Sequence, residues 1–219
     1  TCRQNTENRE KDRNAMTEYE KMLKGVLYDP SDDYLSRLRR AARKAANRYN
    51  RTDEDEGATR REILEELLGH LGADTCVEPS IRFDYGCNTY IGDNCYFNFD
   101  SIFLDCAPIH IGNQVFAGPG LALLTPVHPM LAGERNVRTD PEGRKYNLEY
   151  CRPITIGDNV WLGGRVTVNP GVTIGHDTVI GSGSVVTRDI PSGVFAAGNP
   201  CRVIRPLSKD DRMPPEMYV

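Results

Sequence analysis

The chain has 219 residues, 27 Lys and Arg against 31 Asp and Glu, and a formal net charge of −4. That length allows one large domain or one domain with a small appendage, and the mild acidity argues against nucleic acid as a main partner. No apolar run approaches the ~18–20 residues of a membrane span, so the sequence reads as a cytoplasmic protein without a membrane partner. Its seven cysteines are odd in number and include no C-x-x-C pair. This favours reduced thiols acting as small buried fillers over a zinc cluster, and no metal is expected.

In chain order, residues 1–15 are polar, lack the apolar segment of a signal peptide, and read as a disordered leader. Residues 16–71 read as helical. Thr17-x-x-Glu20 forms a capping-box pattern before EKMLKGVL. Asp29-Pro30-Ser31 breaks the chain and offers a cap for a second helix, on which Leu35, Leu38, Ala42, Ala45 and Tyr49 mark an apolar stripe. Thr59-x-x-Glu62 offers a cap for a third helix with Ile63, Leu64, Leu67, Leu68 and Leu71 inward. Three narrow stripes make little core alone, so the helices are expected to lie against the rest of the molecule.

From residue 72 to 205 the pattern changes. Ile156, Leu162, Val168, Ile174, Ile180 and Val186 stand six apart, and Val160, Val166, Val172, Thr178, Ser184 and Ile190 form a second column. Six fits neither the 3.6 of a helix nor plain strand alternation. It fits a short strand and a tight turn, repeated and stacked into a continuous core. Gly157, Gly163, Gly175 and Gly181 follow the first column, where a turn calls for positive φ or close backbone approach. Upstream the signal is weaker, and Ile109-His110 looks like a dipeptide absorbing a two-residue slip, as does Ile154-Thr155. Residues 206–219 read as a tail.

The period vanishes in residues 125–153, a polar, Pro-containing extruded loop of a length usually functional or disordered. It opens with Thr125-Pro126-Val127-His128-Pro129. Histidine takes a proton near neutral pH, and a histidine between prolines at the exit of a rigid coil sits on a stiff mount. An ordinary surface histidine fits the spacing too. His70, His110 and His176 are weaker candidates. Each sits at a helix end, in the slip dipeptide or in a hexad turn.

Residues 16–205 resemble the maltose/galactoside O-acetyltransferase family of the hexapeptide-repeat acyltransferases. The resemblance rests on EKMLKGVLYDP, ARKAANRYN, VEPSIRFDYGCNTYIGDNCYFNFD, TPVHPM, PITIGDNVWLGGRVTVNPGVTIG and AAGNPCRVIR. It implies a mainly β fold, a left-handed parallel β-helix of about six coils and roughly 30 Å, behind an N-terminal α-helical module. It also implies a homotrimer with active sites between subunits.

The chemistry implied is transfer of an acetyl group from acetyl-CoA to a sugar hydroxyl. His128 matches the catalytic base and Asn98 a residue at the transfer centre. Asp29, Asp84, Tyr96 and Glu149 match acceptor-facing positions. Trp161, Gly164, Ser182, Thr187, Arg188, Arg202 and Arg205 match the coenzyme groove, with the arginines suited to phosphates. Cys106 departs from an acidic residue of some galactoside enzymes, and the loop from Pro129 to Arg152 is longer than in bacterial members. The alternatives are another small acceptor such as an amino-sugar, a non-catalytic β-helix scaffold, a metal-dependent β-helix hydrolase, and a Cys nucleophile paired with His128.

Overall fold

Both six-residue columns point inward. Every residue from Ile156 to Val186 in the first, and from Val160 to Ile190 in the second, is buried, including Thr178 and Ser184. In this computed structural model, which describes residues 16–218, the columns stack into a parallel β-solenoid of about 6 turns with three faces. The leader expected at residues 1–15 lies outside the described residues. The first face is built from strands His70–Leu71, Thr89–Ile91, Ile109–Ile111, Ile154–Ile156 and Thr173–Ile174. The second carries Cys76–Val77, Tyr96–Phe97, Phe116–Ala117, Trp161–Leu162, Val179–Ile180 and Val194–Ala197. The third carries Ile81–Phe83, Ser101–Leu104, Ala122–Leu124, Thr167–Val168 and Val185–Val186.

Of the two roles expected of the turn glycines, close backbone approach holds and positive φ does not. Positive φ falls two residues later, at Asn159, Arg165 and Asp177, just before the second column. Gly157, Gly163 and Gly175 serve close approach instead: a Cβ there would lie 2.8, 2.6 and 2.5 Å from the backbone nitrogens of His176, Ser182 and Ser192. The upstream offset is real and is taken up inside a strand, as expected of Ile109-His110. Successive coils repeat at 20 residues before the loop and 18 after it. Ile109 pairs in register with Thr89 and with Ile154, and is buried. Two residues lengthen a strand by one pleat, so the same face stays inward.

Helix α1 (Glu18–Leu23) has the expected capping box between Thr17 and Glu20. Helix α2 (Asp33–Tyr49) is capped one residue beyond Ser31. Asp32 Oδ1 accepts the N–H groups of Tyr34 and Leu35, whereas Asp29 folds onto Ser31. Its buried stripe is Leu35, Ala42, Ala46 and Tyr49, with Leu38 and Ala45 half-covered. Helix α3 (Gly57–Leu67) starts before Thr59 and has no side-chain cap, so the Thr59 pattern falls inside it.

The helices cover the open edge of the first coil, as expected of narrow apolar stripes. Tyr49 donates its hydroxyl to the carbonyl of Val77, and Asn50 grips the carbonyl and N–H of Ile81 at 2.9 and 2.8 Å. Edge strands left bare invite pairing with other chains. At the far end Arg202–Pro206 turns back antiparallel on Val194–Ala197. No helix among the described residues is long and apolar enough to cross a membrane.

The extruded loop is structured. Pro126–Val127 and Tyr150–Cys151 pair antiparallel at its base. Beyond them lie the short helix α4 (Ala132–Arg135) and a hairpin of Arg138–Thr139 with Lys145–Tyr146. The main core runs from α2 and α3 through all the coils. A second cluster of Met22, Tyr28, Leu35, Tyr85, Cys106, Ala107 and Cys151 sits beneath the arm.

Candidate active site

The third face turns toward the first after Phe83, Leu104 and Leu124, and this edge gathers the polar residues. Asp84 follows the first of these strands, Asp105 and Cys106 the second, and the arm leaves after the third. Thr125 fixes the arm's root: its hydroxyl donates to the carbonyl of Leu104 at 2.6 Å and accepts the N–H of Ala107 at 2.9 Å. On this mount His128 is half exposed, with Nε2 3.7 Å from Glu149 Oε2. The carboxylate of Glu149 is mostly covered, at 12% exposure.

Glu149 is held by a residue that the sequence pattern did not single out. Tyr28 donates its hydroxyl to Glu149 Oε1, and the two backbones exchange hydrogen bonds at 2.9 and 3.1 Å. Tyr28 is wholly buried. Burial first, and then the neighbouring Cys106 and Glu149, push its phenol far above the usual range, so it stays a donor. Its only sequence signal is its place beside Asp29, ahead of a helix break.

Asp84 accepts from Arg43 Nη2 at 2.9 Å, and the Cys106 thiol lies 3.7 Å from its other oxygen. Burial, then the negative charge of Asp84, drives the Cys106 thiol well up, which keeps it from the thiolate form a nucleophile needs. Asp29 is almost covered. Its Oδ1 takes the N–H and hydroxyl of Ser31 at 2.9 and 2.6 Å, and its Oδ2 takes Arg144 Nη1 at 2.6 Å. Arg144, in the arm's hairpin, is the second residue that the sequence did not single out.

The remaining predicted residues lie elsewhere on the prism. Tyr96 is on the second face, its hydroxyl 3.4 Å from Glu78 Oε1. Asn98 begins the edge between second and third faces, its Oδ1 accepting the N–H of Phe99 at 2.7 Å. Gly164 and Ser182 follow along that edge, where Gly164 N–H meets Ser182 Oγ at 3.1 Å. A Cβ on Gly164 would meet only ordinary contacts near 3.6 Å, so an added methyl fits there without displacing the chain. Trp161 stands 56% exposed beside Phe116 on the second face.

Thr187 and Arg188 are exposed after the last third-face strand, and Arg202 is exposed on the returning strand. Arg205 is held by the tail carboxylate of Asp211 at 2.5 and 2.8 Å. Within one chain, therefore, His128, Glu149, Asp84 and Asp29 gather at one edge, while Asn98, Tyr96 and the coenzyme candidates lie along another face and edge. Among the described residues no group of three or more His, Cys, Asp or Glu could hold a metal ion.

A three-faced stack of six-residue units is the architecture of the hexapeptide-repeat proteins. Residues 153–188 match the bacterial transferase hexapeptide model (six repeats), and residues 21–72 match the maltose acetyltransferase hexapeptide capping motif. The chain is 38% identical to galactoside O-acetyltransferase of Escherichia coli over 88% of its length and 94% of that protein. The crystal structure of a maltose O-acetyltransferase from Clostridium difficile superposes with a TM-score of 0.82 at 46% identity, covering 90% of this chain and 100% of that one. A Vibrio cholerae hexapeptide-repeat acetyltransferase complexed with acetyl coenzyme A superposes at 0.77 with 36% identity, over 89% and 100%. The chain belongs to the maltose/galactoside O-acetyltransferase family.

Proposed function

We propose that this enzyme transfers an acetyl group from acetyl-CoA to a hydroxyl of a sugar, with His128 as general base and no covalent enzyme intermediate. The observation that carries the reading is the His128–Glu149 pair at the root of the arm, 3.7 Å apart and locked by Tyr28. A sugar hydroxyl is a very weak acid, and a placed base contributes ~10²–10⁴-fold. His128 takes the hydroxyl proton as the sugar oxygen bonds to the acetyl carbonyl. It returns that proton to the sulfur when the carbon–sulfur bond breaks. Glu149 faces the nitrogen that becomes charged and steadies the imidazolium. Acetyl-CoA supplies the activated acyl group.

Asp84 and Tyr96 are suited to orient acceptor hydroxyls, and Asn98 to polarise the reacting carbonyl. The small Gly164 and Ser182 suit the pantetheine arm, with the exposed Trp161 as a wall. Thr187, Arg188 and Arg202 offer donors for phosphates, and Arg205 does so once released from Asp211. Because His128 and Asn98 lie on different edges, the complete site forms between neighbouring copies in a homotrimer, and the exposed Phe99, Phe116 and Trp161 support such burial. Buried thiols such as Cys106 and Cys151 fit the reducing cytoplasm.

The test is release of CoA thiol from acetyl-CoA across a panel of sugars. His128→Ala should lower kcat by about 10²-fold or more, with assembly unchanged in sedimentation. Full activity in that variant would remove the base assignment.

A further inference from the structure

The arm's hairpin does not float free. Arg144 Nη1 lies 2.6 Å from Asp29 Oδ2 and 3.4 Å from Ser31 Oγ, while Nε binds Asp140 Oδ2 at 3.0 Å. The guanidinium also lies over Tyr146, 5.5 Å from the ring centroid. With Ser31 on Oδ1, both carboxylate oxygens of Asp29 are in use and its side chain is only 9% exposed. Burial opposes the ionised form of Asp29, but the Ser31 bonds and Arg144 win and hold the carboxyl below its ordinary range. Arg144 is exposed on one side and fixed on the other, as a clasp between two segments 115 residues apart in sequence.

The clasp bounds a cavity of about 470 Å³, also lined by Glu18, Lys21, Tyr146 and Leu148. Leu148 is followed directly by Glu149, so the cavity borders the segment that carries the partner of His128. While the clasp is shut both Asp29 oxygens already accept hydrogen bonds, and the covered side chain leaves a sugar hydroxyl little approach to it.

We propose that Arg144 and Asp29 form a latch that ties the arm to the helical region, closes one side of the acceptor pocket and so favours short sugar acceptors over long ones. The proposal rests on the acetyltransferase reading of the site. Arg144 is thus a specificity-determining residue, and Asp29 acts through it instead of through direct contact with sugar.

The experiment compares Arg144→Ala, Asp29→Asn and the double variant, using mono- and trisaccharide acceptors. Each single variant should raise the trisaccharide-to-monosaccharide ratio of kcat/KM several-fold and leave the KM for acetyl-CoA unchanged. The double variant should add nothing further, as expected of two halves of one contact. Loss of turnover on every sugar in Asp29→Asn, with an unchanged profile in Arg144→Ala, would show direct sugar contact and overturn the proposal.

Amide hydrogen exchange over Arg138–Tyr146 gives a readout independent of activity. Protection there should fall equally in both single variants, and unchanged protection would overturn the latch. If the unaltered protein released no thiol with any sugar, the sugar-acetyltransferase reading would fail, and hydrogen exchange would still decide the latch.

Discussion

Asp105 has no exposed surface. Its carboxylate accepts the N–H of Tyr85 at 2.8 Å, the N–H of Asn88 at 3.3 Å and the hydroxyl of Thr89 at 3.2 Å, pinning the turn that carries Asp84. Burial pushes its pKa up to about 6, against the pull of the Tyr85 and Gly86 N–H groups. An unfolded Asp titrates near ~3.9, so between pH 4 and 6 the folded chain holds the extra proton. Its contribution to stability is therefore fully present below pH 4 and lost as pH rises through 6, on the order of 2–3 kcal/mol. Urea denaturation from pH 4 to 6.5 should show wild type losing stability relative to Asp105→Asn across that range. Parallel curves would refute the assignment. At this scale His128 was legible as a candidate between prolines, and Glu149 only through the family resemblance. Tyr28 was not, because a tyrosine becomes a positioning group only through a partner 121 residues away.

Two adjacent glycines differ sharply in packing within one turn of the solenoid. A Cβ at Gly163 would lie 2.6 Å from the backbone nitrogen of Ser182, whereas at Gly164 the nearest atoms are 3.6 Å away in Pro119. Gly163→Ala should therefore cost about 1–3 kcal/mol in thermal or urea unfolding, since the backbone of the next coil must shift. Gly164→Ala should leave stability nearly unchanged and raise the KM for acetyl-CoA. Equal melting losses in the two variants would contradict this division. The coils themselves were legible because each buried position recurs at a fixed interval. The arm's pairing was not: strands of two residues, such as Pro126–Val127 and Tyr150–Cys151, are too short to leave a period. The first helix start was read correctly, the second shifted from Ser31 to Asp32 because several carboxylates and hydroxyls compete for the cap, and the third starts three residues earlier than a Thr59 cap implies, with no side-chain cap. At the second helix Asp32 takes the cap and leaves Asp29 free to pair with Arg144.

The division of His128 and Asn98 between two edges makes a prediction about the assembly. In the proposed homotrimer, mixed assemblies of His128→Ala and Asn98→Ala subunits, refolded together, should regain part of the activity, because some interfaces then hold one intact copy of each residue. Activity no greater than the two inactive parents would place both residues in one subunit's site. That the helical region covers the first coil followed from its narrow apolar stripes; its grip on the arm did not, because Tyr28 and Glu149 meet only once the arm has returned after the third coil. The coils on either side of the arm stack as if nothing intervened, with Ile154–Ile156 on Ile109–Ile111 and Trp161 on Phe116. The prism is in this sense a socket, indifferent to the length and wording of whatever is plugged into that corner. Acceptor preference can then drift through the arm without disturbing a single coil, and the same stack can host new substrates at no cost to its own folding.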